Sequence, residues 1–231
     1  AMRDLPQNEV CSDYIALDKL SQKYIEKSLK MAHKNASVWS IQSPVLDSNR
    51  PFHVENMPYI KNTYSKVVCI TLQWGIERYE SRYPHTDGEL HPKILEVIKN
   101  PKLNNVLFII KPHPVINEDI RVLKMLEKGT LKFHNVVIDS TSSLYSIFHY
   151  TDVHITIFST AVREAAIMGI SSLIFSTDEQ MFAGKNGKFK PEIENKIAIR
   201  VGNESTDKIV NIILFSRKKT EVVECYRNSI I

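Results

Sequence analysis

Val106-Leu107-Phe108-Ile109-Ile110 runs directly into Lys111-Pro112-His113-Pro114, and Val153-His154-Ile155-Thr156-Ile157-Phe158 runs directly into Ser159-Thr160-Ala161-Val162-Arg163-Glu164-Ala165-Ala166. Short runs of β-branched and aromatic residues such as these read as buried strands. Each polar cluster therefore falls at the C-terminal end of a strand. In an open parallel α/β sheet that edge is where ligands bind. The second cluster also opens a helix, whose first backbone N–H groups are expected to be open and to favour an anion. A histidine and a Ser-Thr helix start facing one crevice suit a phosphate-bearing ligand. Glu164, one turn into the helix, is placed to hold a pair of sugar hydroxyls.

The same alternation extends outward from these two runs. Strands are predicted over 67–72, 106–110, 135–138, 153–158, 172–175 and 197–201. Helices are predicted over 91–100, 118–127 (ending near Gly129), 142–150, 160–168 (closed by Gly169) and 205–216. His91-Pro92 puts proline in the first turn of its helix, and Ser205 or Thr206 caps the last one. The stretches 73–89 and 178–190 read as loops. Strands alternating with helices predict an α/β fold, a Rossmann-like parallel sheet with helices on both faces.

The first sixty residues differ. Asp13–Leu17 and Val38–Ile41 read as short strands, and Asp18–Lys34 as a helix capped by Asp18. Ser43–Pro51 is an irregular connector punctuated by proline and short polar residues. The division expected is 1–60 for the end of an N-terminal domain and its helical linker, and 61–231 for the Rossmann-like domain. Internal repeats and low-complexity segments are lacking.

Composition narrows the function classes. The 231 residues are 43% hydrophobic and 24% charged, enough apolar material for a sizeable core. The net charge of +4 is spread along the chain. It suits an anionic small ligand or a peripheral contact with an acidic membrane surface, and no nucleic-acid motif accompanies it. Cys11, Cys69 and Cys225 have no metal spacing and read as reduced thiols of a cytoplasmic protein. No apolar stretch approaches the length of a membrane span, and no signal peptide opens the chain. No Walker loop, GxGxxG or Ser-His-Asp arrangement is present, and no metal site or cofactor is expected.

Each candidate residue also has a plainer reading. His113, stiffened between two prolines after Lys111, either donates to a phosphate oxygen or packs in a turn. Ser159 and Thr160 exceed what one helix cap needs, although capping alone accounts for one of them. Glu164 sits among Ala165, Ala166 and Gly169, where a carboxylate needs a partner. A ribose diol or a neighbouring cation would serve. Gln73-Trp74-Gly75 follows a strand, and its glycine permits close approach of the backbone to a ligand, or makes an ordinary turn. His85-Thr86-Asp87-Gly88 is a turn signal. Lys185-Asn186-Gly187-Lys188 either closes over a diphosphate or is a solvated loop.

With Thr71-Leu72-Gln73-Trp74-Gly75, Ile110-Lys111-Pro112-His113-Pro114, Thr151-Asp152-Val153, Phe158-Ser159-Thr160 and Glu164-Ala165-Ala166-Ile167-Met168-Gly169 in this order, residues 38–215 resemble the C-terminal, nucleotide-binding half of GT-B-fold glycosyltransferases. The likeness is to bacterial capsule and surface-glycan enzymes, sialyltransferase-like and Kdo-transferase-like groups included. The resemblance implies a metal-independent transferase that moves a sugar from a nucleotide-activated donor, of CMP or UDP type, to a glycan such as capsule or lipopolysaccharide. It implies that His113 contacts the donor phosphate and stabilises it as it departs. Lys111, Ser159, Thr160, Gln73 and Gly75 would line the nucleotide and phosphate site, Glu164 would bind the ribose, and Asp152 would be structural. Whole enzymes of this kind carry a second, N-terminal domain with the acceptor site and the catalytic base. The expectation is thus a fragment or truncated homologue that binds donor at the inner face of the bacterial cytoplasmic membrane. CDP-polyol phosphotransferases of teichoic-acid type and UDP-sugar 2-epimerases share much of this motif grammar. A nucleotide-binding module without catalysis is the non-enzymatic alternative.

Overall fold

A computed structural model of the chain describes residues 13–16, 26, 29–30, 37–40, 63–73, 89–116, 119–130, 132–184 and 187–218. The chain divides into two compact units, residues 1–50 with 227–231, and residues 51–226.

In the first unit, β1 (Asp13–Ala16) pairs in parallel with β2 (Ser37–Ser40), Asp13 opposite Ser37. Glu26, Leu29 and Lys30 between them are helical, and Leu29 is buried. The rest of the predicted 18–34 helix lies outside the described residues, as does the predicted connector 43–51.

The second unit holds β3 (Lys66–Thr71), β4 (Val106–Lys111), β5 (Val136–Ile138), β6 (Val153–Thr156), β7 (Ser171–Ile174) and β8 (Ala198–Arg200). They form one sheet in the order β5-β4-β3-β6-β7-β8, and every pairing is parallel. The chain builds outward from β3 to β5, returns to the centre, and builds outward again from β6. The topological switch point thus lies between β3 and β6.

Period-2 alternation explains the two apolar faces. Val68, Ile70, Phe108, Ile110 and Ile155 face one layer with Ile94, Val97 and Ile98 of α1 (Pro92–Ile98), Leu126 of α2 (Ile120–Thr130), and Ile209, Val210 and Ile213 of α7 (Thr206–Phe215). Val67, Cys69, Leu107 and Ile109 face the other, against Ile147 and Phe148 of α3 (Leu144–Tyr150) and Ala161 and Ala165 of α4 (Ala161–Ile167). Phe158, Val162, Ile174 and Phe189 make a third cluster beside α4. Side chains buried this fully contribute roughly 1.5–3 kcal/mol each.

Caps follow the sequence signals. Ser143 and Ser205 accept from Ser146 N and Lys208 N. Asp152 Oδ2 accepts from Val67 N at 2.9 Å, and its own N–H donates to Val67 O at 2.8 Å, so this aspartate pins the start of β3.

Two local expectations differ. The second helix runs through Gly129 to Thr130, whose hydroxyl closes the last turn on Leu126 O at 2.9 Å. The stretch predicted as a loop over 178–190 contains α5 (Glu179–Phe182), capped by Asp178, and the start of α6 (Lys190–Glu194). Both helices are shorter than the window over which helical periodicity is legible.

Candidate functional site

The strand register sets the positions of the candidate residues. Thr71 at the end of β3 is level with Lys111 on β4 and with Thr156 on β6. Gln73 and His113 are therefore each two residues past this line, and Ser159 three residues past it. The edge beyond the switch point carries all of them, on three neighbouring strands. This is the position where doubly wound sheets bind ligands. Gly75 and the turn at residues 85–88 lie outside the described residues.

On β4, Pro112 is buried and His113 half-buried. The chain turns here: Ile116 N donates to His113 O at 2.8 Å, and Val115 N donates to His113 Nδ1 at 3.3 Å. A neutral ring that accepts at Nδ1 carries its proton on Nε2. The backbone of the turn therefore makes Nε2–H the donor edge of His113.

Lys111 is half-buried at the strand end. Burial lowers its pKa, and the carboxylate of Asp139 opposes that effect. Asp139 follows β5 and receives bonds from Ser142 N at 2.8 Å and Thr141 N at 3.0 Å. Burial raises its own pKa, but these bonds and the Lys111 charge outweigh that and hold it below the ordinary carboxylate range. Asp139 is a member of this edge that sequence reasoning missed. Its place next to Lys111 depends on β4 and β5 being neighbours.

On β6, Ser159 N donates to Thr156 Oγ1 at 3.1 Å, and Ser159 Oγ accepts from Ala161 N at 3.2 Å. Val162 N reaches Ser159 O at 3.2 Å and Arg163 N reaches Thr160 O at 2.9 Å. This corrects the expectation of an open helix start, because the first N–H groups of α4 are already occupied. The donors left at this point are side-chain hydroxyls. Thr160 is exposed and its side chain caps nothing, and Ser159 keeps its hydroxyl proton for donation.

Glu164 is half-buried on α4, and burial raises its pKa. No protein group among the described residues forms an ion pair or hydrogen bond with its carboxylate. Tyr145 on α3 is its electrostatic neighbour: burial and the Glu164 charge both raise the phenol's pKa. Gln73 is buried at the end of β3.

Beneath this edge lies a buried chain that the sequence did not announce. His154 Nε2 is 2.9 Å from Thr71 Oγ1, and its Nδ1 is 2.8 Å from Ser172 Oγ. It therefore links β3, β6 and β7. Burial pushes its pKa down to about 3. The imidazole is a neutral cross-strand tie that supports the strand ends. Cys69 is a buried free thiol whose pKa burial raises.

Among the described residues, no group of three or more His, Cys, Asp or Glu is placed to hold a metal ion. Among them, too, no helix is long and apolar enough to cross a membrane.

No protein-family model matches the sequence, and no curated protein matches it. Solved structures do share its fold. The wall teichoic acid polymerase TagF superposes with a TM-score of 0.53 at 15% identity over 94% of this chain and 53% of its own. The UDP-GlcNAc 2-epimerase from Neisseria meningitidis, bound to UDP-GlcNAc, gives 0.56 at 16% identity over 94% of this chain and 60% of its own. The S. aureus MnaA–UDP structure gives 0.52 at 9% identity over 92% and 52%. The chain thus spans little more than half the length of these proteins. Its second unit has the Rossmann-like parallel sheet of one half of a GT-B-fold protein.

Proposed function

We propose that this chain is the donor-binding part of a glycosyltransferase that moves a sugar from a nucleotide-activated donor to a bacterial surface glycan such as capsule or lipopolysaccharide. The observation that carries the reading is the convergence of Gln73, Lys111, His113, Ser159 and Thr160 on the strand ends flanking the switch point. The fold shared with proteins solved with UDP and UDP-GlcNAc supports it.

In this reading His113 donates through Nε2–H to the donor phosphate, and Ser159 and Thr160 add hydroxyl donors. As the glycosidic bond breaks, negative charge grows on the departing phosphate. Donors already fixed by the turn and the strand end stabilise that charge without reorganising. Lys111 adds a cationic field, so no metal is needed. Glu164 accepts from the ribose hydroxyls, exchanging a poorly solvated carboxylate for a paired one. Gln73 lines the nucleotide site, and Gly75 is assigned to it from the sequence motif. An N-terminal domain, to which residues 1–60 contribute, supplies the acceptor site and the catalytic base, and the enzyme works in the cytoplasm at the inner membrane face.

A second reading keeps the fold and changes the chemistry to CDP-polyol phosphotransfer or sugar 2-epimerisation, supported by the likeness to TagF and to the 2-epimerase. A thermal-shift panel of CMP, CDP, UDP and GDP tests the shared premise. A hundredfold excess over Kd stabilises a single-site protein by about 2.7 kcal/mol. Donor screening then separates the readings: the largest stabilisation with a CDP-polyol, or with an epimerisable UDP-sugar, would replace the first reading by the second. No stabilisation by any nucleotide would leave neither standing.

A further inference from the structure

Lys188 lies in the lysine- and glycine-containing loop that the mechanism above does not use. Its ammonium sits 4.8 Å from the ring centroid of Phe158 and 5.2 Å from that of Phe189. Phe158 is the residue immediately before Ser159, so this cation stands beside the strand end that carries the Ser-Thr pair. No carboxylate among the described residues pairs with it. The carboxylate of buried Glu192 pairs with Arg163 at 3.5 Å. Arg163 and Lys188 are neighbouring cations. Two aromatic faces stabilise an ammonium but do not neutralise it. Burial, with repulsion from Arg163, lowers the Lys188 pKa to about 8.

The position is built with effort. A Cβ at Gly187 would meet the Phe182 carbonyl oxygen at 2.2 Å, so only glycine fits there. Phe189 takes a left-handed φ of 57°, which a bulky residue avoids. Lys188 N is fixed to Met181 O at 2.9 Å. Strain of this sort persists where the surroundings over-determine a conformation, and it gathers at ligand clamps. A lysine kept only to cover apolar surface would extend its ammonium into water or onto a carboxylate. This one is held half-buried and uncompensated, beside hydroxyls suited to one phosphate.

We propose that Lys188 recognises the second phosphate of a nucleoside diphosphate, and so makes the donor of this chain diphosphate-linked, not monophosphate-linked. The proposal rests on the nucleotide-binding reading above and settles what that reading leaves open, the choice between CMP-type and UDP- or CDP-type donors. The first phosphate lies on Ser159, Thr160 and His113. The second meets the Lys188 ammonium over Phe158, where it also balances the excess charge beside Arg163.

The test is calorimetric affinity of the wild type, Lys188→Met and Lys188→Arg for CMP, CDP, UMP and UDP. The wild type is expected to bind CDP or UDP about tenfold or more tighter than the matching monophosphate. Lys188→Met is expected to erase that preference while keeping monophosphate affinity within about twofold, and Lys188→Arg to retain the preference. The thermal midpoint of Lys188→Met is expected at or above that of the wild type, since it replaces a half-buried, unpaired cation. An equal loss for both members of a pair, an unchanged preference in Lys188→Met, or a wild type without diphosphate preference would each overturn the proposal while nucleotide binding stands. If none of the four nucleotides binds the wild type, the nucleotide reading itself fails and this inference goes with it.

Discussion

The backbone N–H of Ser159 donates to Thr156 Oγ1 at 3.1 Å, and the same hydroxyl donates onward to the Thr71 carbonyl at 3.3 Å. One buried side chain thereby ties the end of β3 to the turn that presents the Ser-Thr pair, across the switch point of the sheet. Thr156→Val keeps the shape and removes both bonds. It leaves a half-buried N–H and a buried carbonyl each with one bond fewer, which costs about 1–3 kcal/mol. Urea unfolding should show that loss, with Thr156→Ser restoring most of it. A valine variant as stable as the wild type would mean that the turn does not depend on this hydroxyl.

His113→Ala should weaken nucleotide binding by about 1–3 kcal/mol, the range for a hydrogen bond to a charged group. The chain should stay folded, because the imidazole is half-buried and the turn keeps its Ile116–His113 backbone bond. Calorimetry giving wild-type affinity for every nucleotide would remove His113 from the phosphate site.

Glu164 offers a test with two readouts. Its pKa is raised in the fold, so its charge opposes folding at neutral pH, and stability is regained as pH falls through the raised value. Glu164→Gln should therefore be at least as stable as the wild type at pH 7. The same variant should lose much of any preference for a ribonucleotide over its 2′,3′-dideoxy analogue. A destabilised variant with its ribose preference intact would assign Glu164 to the scaffold.

The buried His154 gives a pH dependence of opposite sign. Its native pKa of about 3 lies far below the ordinary histidine value of 6.5. The unfolded chain takes up a proton below pH 6.5 that the native state refuses, so this group's stability is present above that pH and is lost as pH falls towards 3. The slope for one proton is about 1.4 kcal/mol per pH unit. Unfolding free energies between pH 6.5 and 5, where few carboxylates titrate, should fall more steeply in the wild type than in His154→Asn. Equal slopes would show that His154 is not held neutral.

The strands were legible because each is a short apolar run bounded by turn residues, and the second unit's six strands fall within a residue or two of their predicted ends. Legible too was the fact that Lys111-Pro112-His113 and Ser159-Thr160 follow strands. Less visible were the relations created by strand order. His154 reads as one more residue of an apolar run, because its partner Thr71 is 83 residues away and the two meet only through the pairing of β3 with β6. Asp139 meets Lys111 for the same kind of reason. The helix start was misjudged because Ser159 and Thr160 bond the N–H groups that an anion was expected to take. The sequence offers the Lys185–Lys188 loop a diphosphate or a solvated role, but not the place of the Lys188 ammonium over Phe158, next to the left-handed turn at Phe189.

The central claim is that a nucleotide binds at the carboxyl edge of β3, β4 and β6. The direct measurement is a heteronuclear NMR titration of the backbone-assigned chain with CDP, UDP, CMP and GDP. The account predicts saturable shifts centred on Gln73, His113, Ser159 and Thr160, reduced in His113→Ala. Shifts centred elsewhere on the sheet, or none with any of the four nucleotides, would contradict it.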